Sequence, residues 1–164
     1  MNKGQVIAEA AVQFERLLPA PPEKAWAFLT EPGRLAEWYG EGVIEPREGG
    51  TVKFMAGHIK GVVTGWRPKQ FFAHTWNVFS PGEIVSAWPV SYLEFALMPE
   101  GEQTKLTLTH RPIMSRMQPQ TMMGWHTFLD MLETGIKGEA IGPRDTYMQR
   151  NATLYGVDLN NLQR

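Results

Sequence analysis

The chain contains no cysteine. That excludes a disulfide framework, a thiolate metal site and a cysteine nucleophile, so any chemistry must rest on histidines and carboxylates. An excess of charge is also missing, with 16 Lys and Arg against 17 Asp and Glu and a formal net charge of −1. Residues 1–82 carry nine basic and eight acidic groups, and residues 83–164 carry seven and nine. No basic face for phosphate contacts is implied, and no nucleic-acid partner is expected. No apolar run approaches the roughly 20 residues needed to span a bilayer, and MNKGQVIAEA has no apolar signal-peptide core. Membrane insertion is therefore not expected, and a cytoplasmic location is. Internal repeats and low-complexity tracts are lacking as well. Against these absences stand six Trp, eight Phe, four Tyr and nine Met, beside 16 Gly and 12 Pro, in 164 residues. One domain is expected at this length, burying roughly 70% of its unfolded surface. A full core fits, with room for a cavity.

Hydrophobic periodicity orders the elements. Val12, Phe14 and Leu18 alternate with Gln13 and Glu15, which predicts a half-buried strand that Leu18-Pro19-Ala20-Pro21-Pro22 stops. Glu23 to Leu29 reads as a short helix with Pro22 in its first turn, and Thr30 as the N-cap of a second through Trp38. Strands are then predicted over 43–47, 51–56, 59–67, 71–79, 90–97 and 105–110, separated by glycine and proline turns. After Pro119 the period becomes helical, with Met122, Trp125, Leu129, Leu132 and Ile136 on one stripe. A weaker helix fits 144–156. Short connections favour an antiparallel meander, and only the long helix can cover its buried face. The predicted fold class is α+β. A space between a curved sheet and that helix is the place to look for function.

Strand parity selects the residues that face this space. Val52, Phe54 and Ala56 share one side; so do Phe72, His74, Trp76 and Val78; so do Leu93, Phe95 and Leu97; and so do Leu106, Leu108 and His110. Glycines at 61 and 65 leave the parity of 59–67 ambiguous, and Trp66 is unassigned. The expected ligand-binding set is Phe54, Phe72, His74, Trp76, Trp88, Leu93, Phe95, Leu108, His110, Trp125 and Leu129, although any one inner-face residue taken alone reads first as plain core. Trp26, Trp38 and Trp125 sit at element junctions and read first as scaffold. Trp88, in the Pro81–Pro89 stretch, either edges an entrance or packs the hairpin.

Catalytic candidates are few. His110, His126 and Asp130 are the residues considered. His126 and Asp130 stand four apart on one helical face, either as an orienting pair for acid–base work or as a structural pair. The histidine spacing fits no zinc pattern, so neither metal nor cofactor is expected. No nucleophile elbow or phosphate loop occurs, and Ser80, Ser86, Ser91 and Ser115 are dispersed with no neighbouring base in sequence. Arg111 and Arg116 flank Met114 before the long helix, where Arg111 could hold an anionic head group or simply be solvated. Methionines at 114, 117, 122 and 123 form an adaptable lip or an interface.

Several segments occur in a recognisable order: LPAPPEKAWAFLTEPGRLAEWYG (Leu18–Gly40), Gly49-Gly50, the Phe72–Trp76 strand, LTLTHR (Leu106–Arg111) and GWHTFLDML (Gly124–Leu132). Together they resemble bacterial proteins grouped with the C-terminal domain of the activator of the heat-shock-protein-90 ATPase, within the START/SRPBCC helix-grip superfamily. The resemblance implies a curved antiparallel sheet of about seven strands gripping a long C-terminal helix, with two short helices after the first strand. It implies a lead-in over 1–11, a helix-grip domain over 12–137 and an extension over 138–164 with room for a short helix. Superfamily members include lipid carriers, hormone binders, polyketide cyclases and co-chaperone domains, so the fold sets a broad prior. The first expectation is a small hydrophobic or aromatic molecule held between sheet and helix. A cyclase- or aromatase-like enzyme on such a molecule comes second. A co-chaperone-like contact or self-association comes third.

Overall fold

The computed structural model describes residues 3–5 and 9–163, so the lead-in expected over 1–11 lies partly outside the described residues. The first strand, β1, is Val12–Leu18, with Val12 and Leu18 buried and the prolines after it ending the ladder. Helix α1 (Pro22–Thr30) begins on its proline, and α2 (Pro32–Trp38) follows after Glu31. Thr30 is not the N-cap of α2. It closes α1 instead, its hydroxyl donating to the Trp26 carbonyl at 2.8 Å. Six further strands follow: β2 (Gly42–Ile44), β3 (Thr51–Phe54), β4 (Ile59–Arg67), β5 (Phe71–Val78), β6 (Ser91–Glu100) and β7 (Gln103–Arg111). The long helix α3 spans Gln118–Ile136, and α4 spans Arg144–Tyr155, closed by Gly156 in the left-handed conformation (φ 66°).

All neighbouring strands are antiparallel, in the order β1-β7-β6-β5-β4-β3-β2. Helix α3 lies along the concave face, burying Trp125, Leu129, Leu132 and Ile136. This is the helix grip. Two departures from strict alternation matter. The third strand ends at Phe54, because Met55 and Ala56 take positive φ (53° and 55°) in a tight turn. Ala56 is therefore exposed and not on the inner face. In β4 the register to β5 shifts between Val63 and Gly65, a bulge that adds one residue and inverts the parity beyond it. Trp66 consequently pairs with Phe72 and packs against Trp26 (ring centroids 5.0 Å) and Phe72 (5.4 Å). Glycine is required at 61, where an added Cβ would fall 1.8 Å from the Thr75 carbonyl oxygen.

The two ends of the grip differ. At the end holding Leu18, α1 and α2 drive Phe28, Leu29, Leu35 and Trp38 into the core. The other end is marked by the pairings of Val12 with His110, Leu93 with His110 and Trp76 with Ser91. Among the described residues α1 and α2 leave it open, and only the single 3-10 turn Ser115–Met117, just ahead of α3, lies beside it. Among the described residues no helix is long and apolar enough to cross a membrane.

Candidate functional site

At that unplugged end lies a cavity of about 430 Å³. Trp76 and Val78 reach it from β5, Ser91 from the start of β6 and His110 from the end of β7. Ile113, Met114 and Met117 close it from the segment leading into α3, and Glu9 and Ala10 from the segment ahead of β1. The Ile113 N–H donates to the Ala10 carbonyl at 2.9 Å, tying these two segments together. Trp88 also lines the wall. Its loop is folded back on β5: the Ala87 N–H donates to the Val78 carbonyl (2.7 Å), and the Ser86 hydroxyl donates to the Trp88 carbonyl (2.7 Å). The Arg116 guanidinium sits 5.4 Å from the Trp88 ring centroid, a cation–π contact at the rim.

The polar atoms of the wall have fixed roles. An indole N–H only donates, so the 3.1 Å contact from Trp125 Nε1 makes His110 Nδ1 an acceptor. Burial pushes the His110 pKa down to about 3, with the nearby His74 adding to the shift, so the ring is neutral near pH 7. A neutral imidazole that accepts at Nδ1 carries its proton on Nε2. That proton is donated to Ser91 Oγ, 2.7 Å away. Ser91 therefore does have a histidine neighbour, brought to it by β6–β7 pairing across a separation invisible to a local scan. The histidine is no base for it, because the facing nitrogen already holds its proton. Ring contacts clamp the group, with Trp76 5.0 Å from His110 and 5.4 Å from Trp125.

The sequence profile of the family described as activator of Hsp90 ATPase homolog 1-like protein matches residues 19–137. The chain belongs to this family. Similar solved structures include CalU16 from Micromonospora echinospora, with 24% identity over 89% of this chain and 85% of that one and a TM-score of 0.71. MLL2253 from Mesorhizobium loti has 27% identity, covering 76% and 95% of the two chains, with a TM-score of 0.66. PFC0360w, an HSP90 activator from Plasmodium falciparum, shares the fold at 19% identity and TM-score 0.66, covering 77% and 96%. No curated protein matches the chain.

Within this family fold, the residues expected to bind ligand fall into two groups. Trp76, Trp88 and His110 line the cavity, and Trp125 stands directly behind His110. Phe54, Phe72, His74, Leu93, Phe95, Leu108 and Leu129 are each at most 4% exposed and sit in the packed interior, off the cavity wall. His74 is neutral there, burial holding its pKa down to about 4. Its Nδ1–H donates to the Thr75 carbonyl at 2.8 Å, and its Nε2 has no partner among the described residues. The cavity wall includes Ser91, Ile113 and Thr121, which inner-face parity did not select. Met114 and Met117 line it too, as the lip reading of the methionines anticipates, whereas Met123 is core.

His126 and Asp130 do stand together, with Nε2 3.7 Å from Oδ1, but on the flank of α3 that faces β1 and α4. His126 Nδ1 meets the Tyr155 hydroxyl at 2.7 Å. Burial lowers the His126 pKa, opposed by Asp130 and reinforced by Arg16 and Arg150. Neither residue reaches the cavity. Arg111 points to the outer face of the sheet and pairs with Glu94 at 3.4 Å.

Proposed function

We propose that the chain binds a small, largely apolar aromatic molecule in the cavity at the unplugged end of the grip. The observation that carries this reading is the wall itself. Two tryptophans and flexible methionines surround about 430 Å³, a volume within the usual range of small-molecule sites, with the hydrogen-bonded Ser91–His110 pair among a few polar groups that also include Glu9, Ser115 and Thr121. Family membership supports the reading only at the level of the fold. Catalysis ranks lower, since both ring nitrogens of His110 are engaged and the His126–Asp130 pair lies elsewhere. An interaction with Hsp90, named in the family's description and for the Plasmodium protein, ranks lower still, because no surface of this chain is assigned to it by the geometry.

Titration with N-phenyl-1-naphthylamine, a neutral fluorescent dye, is the test. The wild-type chain is expected to enhance and blue-shift the dye's emission saturably. Val78→Trp, which fills the cavity, is expected to abolish the enhancement while leaving the thermal midpoint within a few degrees. Equal enhancement by both proteins would place the dye elsewhere and overturn the reading.

A further inference from the structure

The hydrogen bonds behind the cavity run in one direction, and the last donor is unspent. Trp125 Nε1–H donates to His110 Nδ1, and His110 Nε2–H donates to Ser91 Oγ. A hydroxyl that accepts one bond still has its own proton to give. Among the described residues the Ser91 hydroxyl proton has no acceptor, although Ser91 is 6% exposed and lines the cavity. A buried donor left without an acceptor is costly, so this one is set to be met by whatever fills the space.

The charges around the wall say what kind of acceptor fits. His110 is neutral, so the chamber presents no cation from its floor. Arg111 is turned to the outer face against Glu94, and Arg116 is engaged over Trp88 at the rim. Glu9 adds a carboxylate to the wall. Glu9 would repel an anionic head group, and the nearest guanidinium, Arg116, is stacked over Trp88 at the rim and is not on the wall, whereas an uncharged oxygen needs only the one donor.

We propose that the site selects aromatic ligands bearing an uncharged carbonyl oxygen, a ketone, quinone or amide, which accepts from the Ser91 hydroxyl. His110 and Trp125 are positioning residues that act through Ser91. This rests on the ligand-binding reading above and adds the chemical class.

Two near-isosteric probes separate the two ideas: 2-acetonaphthone, which carries the carbonyl, and 2-isopropenylnaphthalene, in which a methylene replaces the oxygen. Calorimetric titration of the wild-type chain is expected to favour the ketone by about three- to tenfold, the worth of one net hydrogen bond. Ser91→Ala is expected to erase that preference. Nitrogen NMR of the His110 ring gives a readout that packing alone would not move. The wild type is expected to hold its proton on Nε2, and Trp125→Phe, which lacks the indole donor, to show a mixture of tautomers and a smaller ketone preference. Equal affinity for the two probes, a preference that survives Ser91→Ala, or a wild-type proton on Nδ1 overturns this proposal and leaves the binding reading standing. If neither probe binds, both fall.

Discussion

Two adjacent aromatic residues at the end of α2 bury polar groups with opposite outcomes. Trp38 is 1% exposed, and its Nε1–H donates at 2.8 Å to the Phe28 carbonyl, one of the acceptors left open where α1 ends. Tyr39 is 3% exposed, with its ring 4.9 Å from Phe128 and 5.3 Å from Phe54 and stacked on Trp125 at 6.0 Å. Its hydroxyl has no partner among the described residues, and burial pushes its ionisation far above the ordinary tyrosine range. Removing a satisfied donor strands the carbonyl it served, whereas removing an unsatisfied one relieves a desolvation cost. Trp38→Phe is therefore expected to lose about 1–3 kcal/mol, and Tyr39→Phe to lose nothing or gain up to about 1 kcal/mol. Urea denaturation of the two variants checks this, and a clear loss in Tyr39→Phe would show that its hydroxyl is partnered in solution.

At the scale of elements, a polar seam joins α4 to α3 and β1, beside the buried Ala152 and the Tyr147 ring packed on the core. Asp130 of α3 receives Arg16 of β1 at 3.0 Å, Asn151 at 3.1 Å and Arg150 at 3.4 Å. Asn151 is 2% exposed and also donates to Thr127 at 3.1 Å. Asp130→Ala takes an acceptor from a buried amide and leaves the half-buried Arg16 with Glu133 alone. The expected cost is about 1–3 kcal/mol, with the amides of α4 exchanging measurably faster than those of the central strands. Uniform protection across both would argue against the seam. The elements themselves were largely legible: the stripe from Met122 to Ile136 announces α3, and alternation announces the strands. The exceptions have local physical causes. The β4 bulge hid Trp66, and the positive-φ turn at Met55 and Ala56 cut β3 short. The i, i+4 spacing of His126 and Asp130 was readable, but Arg16 and Tyr155 reach them only through the folded chain. Hence the spacing could not tell a reactive pair from a structural one.

For the whole molecule, parity identified the concave face but could not say where along it the packing stops. That depends on α1 and α2 filling one end only, and so just Trp76, Trp88 and His110 of the expected set fall on the cavity wall. The same enclosure makes the fold sensitive to acid. His74 and His110 have folded pKa values of about 4 and about 3, both lowered chiefly by burial, against an ordinary value of 6.5. Between these limits the unfolded chain binds protons that the native chain refuses. Stability is then fully present above about pH 6.5 and is lost as pH falls toward the folded values. Each histidine is expected to cost about 1 kcal/mol per pH unit once the pH is below about 6. Urea midpoints measured at intervals from pH 7 to pH 4.5 should fall steeply for the wild type. The double variant His74→Asn, His110→Gln keeps the donors to Thr75 and Ser91 without a titratable ring, and its midpoint should fall less steeply whatever its starting stability. Parallel profiles for the two proteins would mean that both rings take up protons inside the fold, and that the interior is wetter than its packing implies.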